Sequence, residues 1–268
     1  MPLETTIDRL AQRVRPQGRV AGYQTWTDLL FIHWRIAASV LRPLLPAQVE
    51  IDEFDGSAWV GVVPFHMSGV RPWWFPALPG VSEFHETNLR TYVVCNGEPG
   101  VWFFSLEAAN SLAVRVARWR WRLNYFRAEM DIARRDNAIE YRSRRLWPAS
   151  APAHTDIAVE VGDWLPSREP HGEAVPGTLE FFLVERFLLF TELSPGRIAR
   201  GQVHHRPYPL KSAKLLHCEQ SLTDAAGLNV ATPPAHVLFS PGVEVEIFPL
   251  CARCPIGLRG YPRSGFSP

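Results

Sequence analysis

The pattern of apolar and polar positions is sharpest between Phe84 and Leu106, FHETNLRTYVVCNGEPGVWFFSL. Two runs rich in β-branched and aromatic residues, Glu86 to Cys95 and Val101 to Leu106, flank Asn96-Gly97-Glu98-Pro99-Gly100 and predict an antiparallel hairpin. Side chains alternate across a strand, so Glu86, Asn88, Arg90 and Tyr92 share one face and Thr87, Leu89, Thr91 and Val93 the other. An acid, an amide, a guanidinium and a phenol therefore stand in a row. Facing into a closed barrel they are a ligand site; facing water they are ordinary surface. Glu86 and Arg90 lie roughly 13 Å apart along an extended chain, too far to bridge directly, so each needs its own partner.

The same reading extends along the chain. Residues 4 to 15 place Leu3, Ile7, Leu10 and Val14 on one helical stripe, with Thr5 and Asp8 spaced as a capping box and Pro16 and Gly18 as a stop. YQTWTDLLFIHWR at 23 to 35 predicts a strand, and Ser39 caps a short helix stopped by Pro43 and Pro46. Strands follow at Val49 to Phe54 and Ser57 to Met67, joined by Asp55-Gly56. The loop from Gly69 to Ser82 is rich in proline, glycine and aromatic residues, and Trp73 and Trp74 make it a candidate lid. Glu107 to Arg120 predicts a helix with Ala109, Leu112, Ala113, Val116 and Ala117 on its apolar face. A turn near Leu123-Asn124 leads to a strand, and further strands fall at Ala138 to Leu146 and Asp156 to Val161. GTLEFFLVERFLLF predicts a short helix entering a buried strand, where Glu185 and Arg186 need partners. In RIARGQVHHRPY only one of His204 and His205 can point inward, which makes a two-histidine metal site from that pair poor geometry. Val237 to Phe239 and Val243 to Phe248 predict a last hairpin around Ser240-Pro241-Gly242.

Composition narrows the function. A net charge of +1 over 268 residues gives no overall electrostatic argument for nucleic acid or membrane. The arginine run from Arg115 to Arg127, interleaved with Trp119 and Trp121, is followed at once by Glu129 and Asp131 and is expected to be a solvated face. The only lysines are Lys211 and Lys214. Cys95 and Cys218 fall in apolar runs as small hydrophobes, whereas Cys251 and Cys254 form a single C-x-x-C without further zinc ligands, so no metal is expected. With no signal peptide and no membrane-spanning apolar run, the expected location is the cytoplasm.

FIHWRIAASVLRPLLP, VEIDEFDGSAWVGVVPFHMSGVRP, FHETNLRTYV, GVWFFSLEAA, GTLEFFLVERFLLF and VHHRPYPL, spread over about residues 25 to 248, resemble the YqjF-like family of uncharacterised bacterial proteins. That family resembles the acetoacetate decarboxylase superfamily. The resemblance implies an α+β fold of mostly antiparallel strands: a large cone-like barrel with a few peripheral helices and an internal ligand cavity. The expected organisation is one barrel domain at 21–249, between an N-terminal helix and linker at 1–20 and a flexible tail at 250–268, these two read from the residues themselves. Where acetoacetate decarboxylases carry the Schiff-base lysine this chain has Asn124-Tyr125-Phe126, and neither aromatic forms an iminium.

Glu86 falls near a glutamate of the decarboxylases and is the catalytic candidate, with Arg90 as carboxylate clamp. Asn88, Ser105, Tyr125 and His205 complete the ligand-binding set; Ser105 lacks a G-x-S-x-G elbow and is not a nucleophile. The expectation is a pocket for a small organic acid or carbonyl compound, with lyase or hydrolase-like chemistry open, no Schiff base and no cofactor. The alternatives are a non-catalytic binding or sensor protein and a solidly packed barrel. The expected partner is a small-molecule ligand, not nucleic acid or membrane, and a homo-oligomer is allowed.

Overall fold

The computed structural model describes residues 7–148, 152–167, 172–230 and 232–251. Its strands are β1 (Gly22–Ile36), β2 (Glu50–Ile51), β3 (Ala58–Pro72), β4 (Phe84–Cys95), β5 (Glu98–Ala108), β6 (Tyr125–Arg135), β7 (Ala138–Trp147), β8 (His154–Trp164), β9 (Leu188–Ser194), β10 (Arg197–His204), β11 (Lys211–Gln220) and β12 (His236–Ile247). Four short helices accompany them: α1 (Ala38–Leu41), α2 (Ser111–Trp121), α3 (Leu179–Val184) and α4 (Leu222–Ala225).

All twelve strands belong to one sheet that closes on itself twice. One circuit runs β12-β1-β3-β4-β5 and returns through β6, β7, β8 and β11; the other returns from β5 through β9 and β10 to β12. Neighbours are antiparallel except where β5 meets β6 and β9. The shared strands have two apolar faces, as a doubly covered wall requires. Leu29, Phe31, Val63, Phe65 and Tyr92 enter one core beneath α3, and Leu30, Ile32, Val60, Val62, Leu89 and Val93 enter the other beside β7 and β8. The α+β, strand-dominated barrel architecture is therefore present.

The turns show why these residues make these elements. Asn96 and Gly97 have φ of 52° and 79°, and Asp55 and Gly56 have 49° and 67°, the left-handed pairs of two-residue hairpin turns. The first turn is thus shorter than the five residues expected, and Glu98, Pro99 and Gly100 already belong to β5.

Other details depart from the sequence pattern. Among the described N-terminal residues only Ala11–Arg13 form a 3-10 turn, and Leu10 and Val14 are exposed. What holds this segment is charge: Arg9 pairs with Asp52, Arg13 with Glu185 and Arg15 with Glu246. Ala37, not Ser39, precedes α1, and a 3-10 turn at Arg42–Leu44 follows it. Val49 to Phe54 shrinks to β2. Glu107 belongs to β5, which runs to Ala108, instead of starting a helix, because Asn110 caps α2 by accepting from the Leu112 and Ala113 amides. Val114, rather than Leu112, is buried from α2. β12 is continuous through Ser240-Pro241-Gly242, since β1 supplies its partner along the whole length and Gly242 takes a φ of 141° against Trp26 and Thr27. The expected tail beyond Cys251, with Cys254, lies outside the described residues. Cys218 is only half-buried, though its surroundings push the thiol up to about 11.

Candidate functional site

Alternation on β4 sends Glu86, Asn88 and Arg90 into the core beneath α3, where they line a cavity of about 160 Å³. Its apolar wall includes Phe31, Phe65 and Phe103, and Tyr125, Arg186 and Tyr208 add polar groups from other parts of the chain. Glu86 is buried, and its Oε2 accepts a 2.9 Å hydrogen bond from the Tyr125 phenol. Tyr125 is the first residue of β6, and Arg118 of α2 fixes its backbone by donating to its carbonyl at 2.6 Å. Burial pushes the Glu86 carboxyl up to about 8 against the opposing Tyr125 bond, and the negative charge of Glu107 adds to the rise. At neutral pH Glu86 is therefore largely a neutral acid. A protonated carboxyl has a hydroxyl to donate as well as the oxygen that accepts from Tyr125.

Arg90 is the opposite case. Its Nη2 donates to the Leu183 carbonyl at 3.0 Å, its Nε has no protein hydrogen-bond partner, and among the described residues no carboxylate pairs with it. Leu183 lies in the last turn of α3, and the same carbonyl accepts from the Tyr92 hydroxyl at 2.8 Å. A second guanidinium, Arg186, also lies against the Tyr92 ring: Cζ to centroid is 5.6 Å for Arg90 and 4.9 Å for Arg186. Arg186 gives Nη1 to Asp52 at 2.8 Å, but Arg9 holds both oxygens of that carboxylate at 2.6 Å, and Arg186 Nη2 has no protein partner. One carboxylate thus serves two guanidiniums. Asn88 Oδ1 on the same wall is also buried without a partner. Buried polar atoms are ordinarily satisfied, so three open ones around one cavity make this wall the candidate site.

The structure brings Glu86, Asn88, Arg90 and Tyr125 together. It does not bring Ser105 there: Ser105 sits opposite Leu89, on the far face of β5, because the ladder slips by one residue between Leu89 and Arg90. His205, past the end of β10, has its ring against Phe187, Tyr208 and Trp26, three cavity residues, yet it lines an outer cleft with Arg71 and His204. Its Nδ1 donates to the Arg206 carbonyl at 2.7 Å, and burial pulls the imidazole down to about 4. Trp73 and Trp74 are exposed; neither reaches the cavity, and Trp73 lies under the Arg19 guanidinium. Arg186 and Tyr208 were not placed by sequence reasoning, although a charge inside FFLVERFLLF is the signal that marks Arg186.

The lysines are elsewhere. Lys211 Nζ sits 4.6 Å from the Trp164 ring centroid, Lys214 is exposed, and neither lines the cavity.

This fold is the acetoacetate decarboxylase-like fold. The chain is similar to the enduracididine biosynthesis enzyme MppR in complex with pyruvate, at TM-score 0.59 and 10% identity over 88% of this chain and 91% of that one. It is similar to acetoacetate decarboxylase from Legionella pneumophila subsp. pneumophila str. Philadelphia 1, at 0.56 and 12% over 89% and 92%. An acetoacetate decarboxylase-like enzyme from Sphingomonas wittichii RW1 matches at 0.57 and 12% over 87% and 93%. The chain belongs to the DUF2071 family, described as an uncharacterized conserved protein, whose model matches residues 23–244. It is 34% identical to the uncharacterized protein YqjF of Bacillus subtilis (strain 168) over 235 residues, 88% of this chain and 93% of YqjF. Among the described residues no helix is long and apolar enough to cross a membrane.

Proposed function

We propose that this chain is a cytoplasmic protein whose barrel cavity binds a small carboxylic acid bearing a carbonyl or similar acceptor. The observation that carries this reading is the buried Arg90 guanidinium, which has no carboxylate partner among the described residues. A buried cation is costly unless paired, so an anionic ligand is the natural complement, and Arg presents it a planar fork. Arg186 adds a second positive group. A cavity of about 160 Å³ is close to the ~150 Å³ that accommodates benzene, which limits the ligand to a few heavy atoms. The pyruvate in the MppR complex is a compound of that size and chemistry.

Opposite the guanidiniums, the neutral Glu86 carboxyl and the Tyr125 phenol are proton donors for a carbonyl oxygen. The chemistry this supports is proton transfer to or from a bound oxo acid, without an iminium. Thermal shift and calorimetry with small 2-oxo and 3-oxo acids test it on wild type, Arg90→Met and Glu86→Gln. Ligand at 100 times Kd stabilises the native state by about 2.7 kcal/mol, a rise of several degrees. Loss of that rise in Arg90→Met supports the reading, and no rise in wild type overturns it. If Glu86→Gln abolishes turnover while affinity persists, the protein is an enzyme; if wild type binds without turnover, it is the non-catalytic binder or sensor.

A further inference from the structure

The opposite face of β3 and β4 from the cavity carries a second titratable cluster. His66 and His85 stand directly across from each other in the ladder, with Nδ1 to Nδ1 3.1 Å and ring centroids 5.0 Å apart. His66 Nε2 lies 3.2 Å from Glu83 Oε1, and the charges of Asp131, Glu83 and Asp28 act on the His85 ring. Both rings are partly exposed, so solvent reaches them. The Glu83 carboxylate beside Nε2 favours the His66 tautomer that carries its proton there, in which His66 Nδ1 accepts from His85 Nδ1.

We propose that His66 and His85 chelate a divalent transition-metal ion of the imidazole-preferring group, such as Zn²⁺, Cu²⁺ or Ni²⁺, through their two Nδ1 atoms. Metal–imidazole bonds are about 2.05 Å, so nitrogens 3.1 Å apart subtend ~100° at a shared ion, between the octahedral and tetrahedral angles. Glu83 is the outer carboxylate that orients a ligating histidine. On entry of the ion the His85 proton moves from Nδ1 to Nε2 through solvent; both rings stay neutral and no proton is lost. Among the described residues no three such side chains form a complete ligand set, so solvent fills the remaining positions. Imidazole ligands without thiolate favour the ions named. The buried pair His33 and His236 has the same 3.1 Å separation but feels the positive charge of Arg90, which opposes a further cation, and His33 Nε2 is already bonded to Tyr92. The pair of His66 and His85 instead has acids around it.

The test uses full-length protein freed of metal by a chelator, titrated with Zn²⁺ by calorimetry and with Cu²⁺ by electron paramagnetic resonance. The expected result is one ion per chain, a Cu²⁺ spectrum split by two nitrogens, and affinity at least about tenfold weaker in His66→Ala and in His85→Ala. Glu83→Ala is expected to weaken binding by about 10-fold or more. Cys251→Ser with Cys254→Ser is expected to bind like wild type. The wild-type nitrogen splitting stands even if a histidine variant folds poorly. No binding by wild type, a spectrum without nitrogen splitting, binding that survives the double histidine substitution, or loss of binding in the cysteine variant each overturns the proposal.

Discussion

The Tyr125 phenol donates to Glu86 Oε2 at 2.9 Å, reaching from β6 past β5 to β4, and this bond opposes the rise in the Glu86 pKa without cancelling it. Burial dominates, so the carboxyl holds its proton up to about 8. Tyr125 keeps its own proton still more firmly, being buried beside a carboxyl. Two donors therefore stand together in a mainly apolar wall.

Stability should carry the signature of Glu86. Its folded pKa of about 8 exceeds the ordinary value of 4.5, so between those values the native state holds a proton that the unfolded chain releases. Stability from this group is full below pH 4.5, falls as pH rises toward 8, and levels off above. The span corresponds to on the order of 5 kcal/mol. Glu86→Gln keeps the acceptor for Tyr125 and cannot ionise. The difference in unfolding free energy between variant and wild type, measured in urea from pH 5 to 9, should move steadily in favour of the variant; a flat difference would exclude the raised pKa.

Arg90→Met should leave the ligand-free protein as stable as wild type or more so. A buried cation with no carboxylate partner among the described residues is replaced by an apolar side chain of similar length, and the Leu183 carbonyl keeps its bond from Tyr92. The expected change in midpoint is a rise of up to a few degrees. A loss of more than about 2 kcal/mol would mean that Arg90 has a structural counter-charge.

Much of this site was legible in one strand. Period-two alternation placed Glu86, Asn88 and Arg90 on one face, and the distance along an extended chain correctly gave Glu86 and Arg90 separate partners. What alternation cannot show is a slip in the ladder, and the one between Leu89 and Arg90 turned Ser105 away. Nor does a local pattern report which distant segments converge. Arg186 and Tyr208 reach the cavity through β9, β10 and the chain beyond them, and two closed circuits sharing five strands follow only from pairings far apart in sequence. Aromatic content suggested that Trp73 and Trp74 cover something apolar, but composition carries no direction, and the loop lies outside.

Borohydride should trap nothing at the lysines. An iminium requires an amine at the carbonyl carbon, and Lys211 lies over Trp164 while Lys214 is exposed, both outside the cavity wall. Incubation with pyruvate and reductant, followed by intact-mass and peptide mass spectrometry, should show no adduct at Lys211 or Lys214. A stoichiometric adduct at either would restore Schiff-base chemistry.

Glu107 and Arg145 test the electrostatics from the other side of the wall. Their 2.6 Å pair is almost fully buried, with side chains 1% and 4% exposed, and the guanidinium lies 3.7 Å from the Phe126 ring centroid. Removing the cation alone strands a buried carboxylate, so Arg145→Met should cost about 3–5 kcal/mol, whereas the double variant with Glu107→Gln should recover most of that loss. Glu107 also raises the Glu86 pKa through its charge. In Glu107→Gln the Glu86 titration, followed by infrared absorption of the protonated carboxyl, should therefore shift downward from about 8. An unshifted titration beside a large coupling energy would confine Glu107 to a structural role and leave burial alone to keep Glu86 protonated.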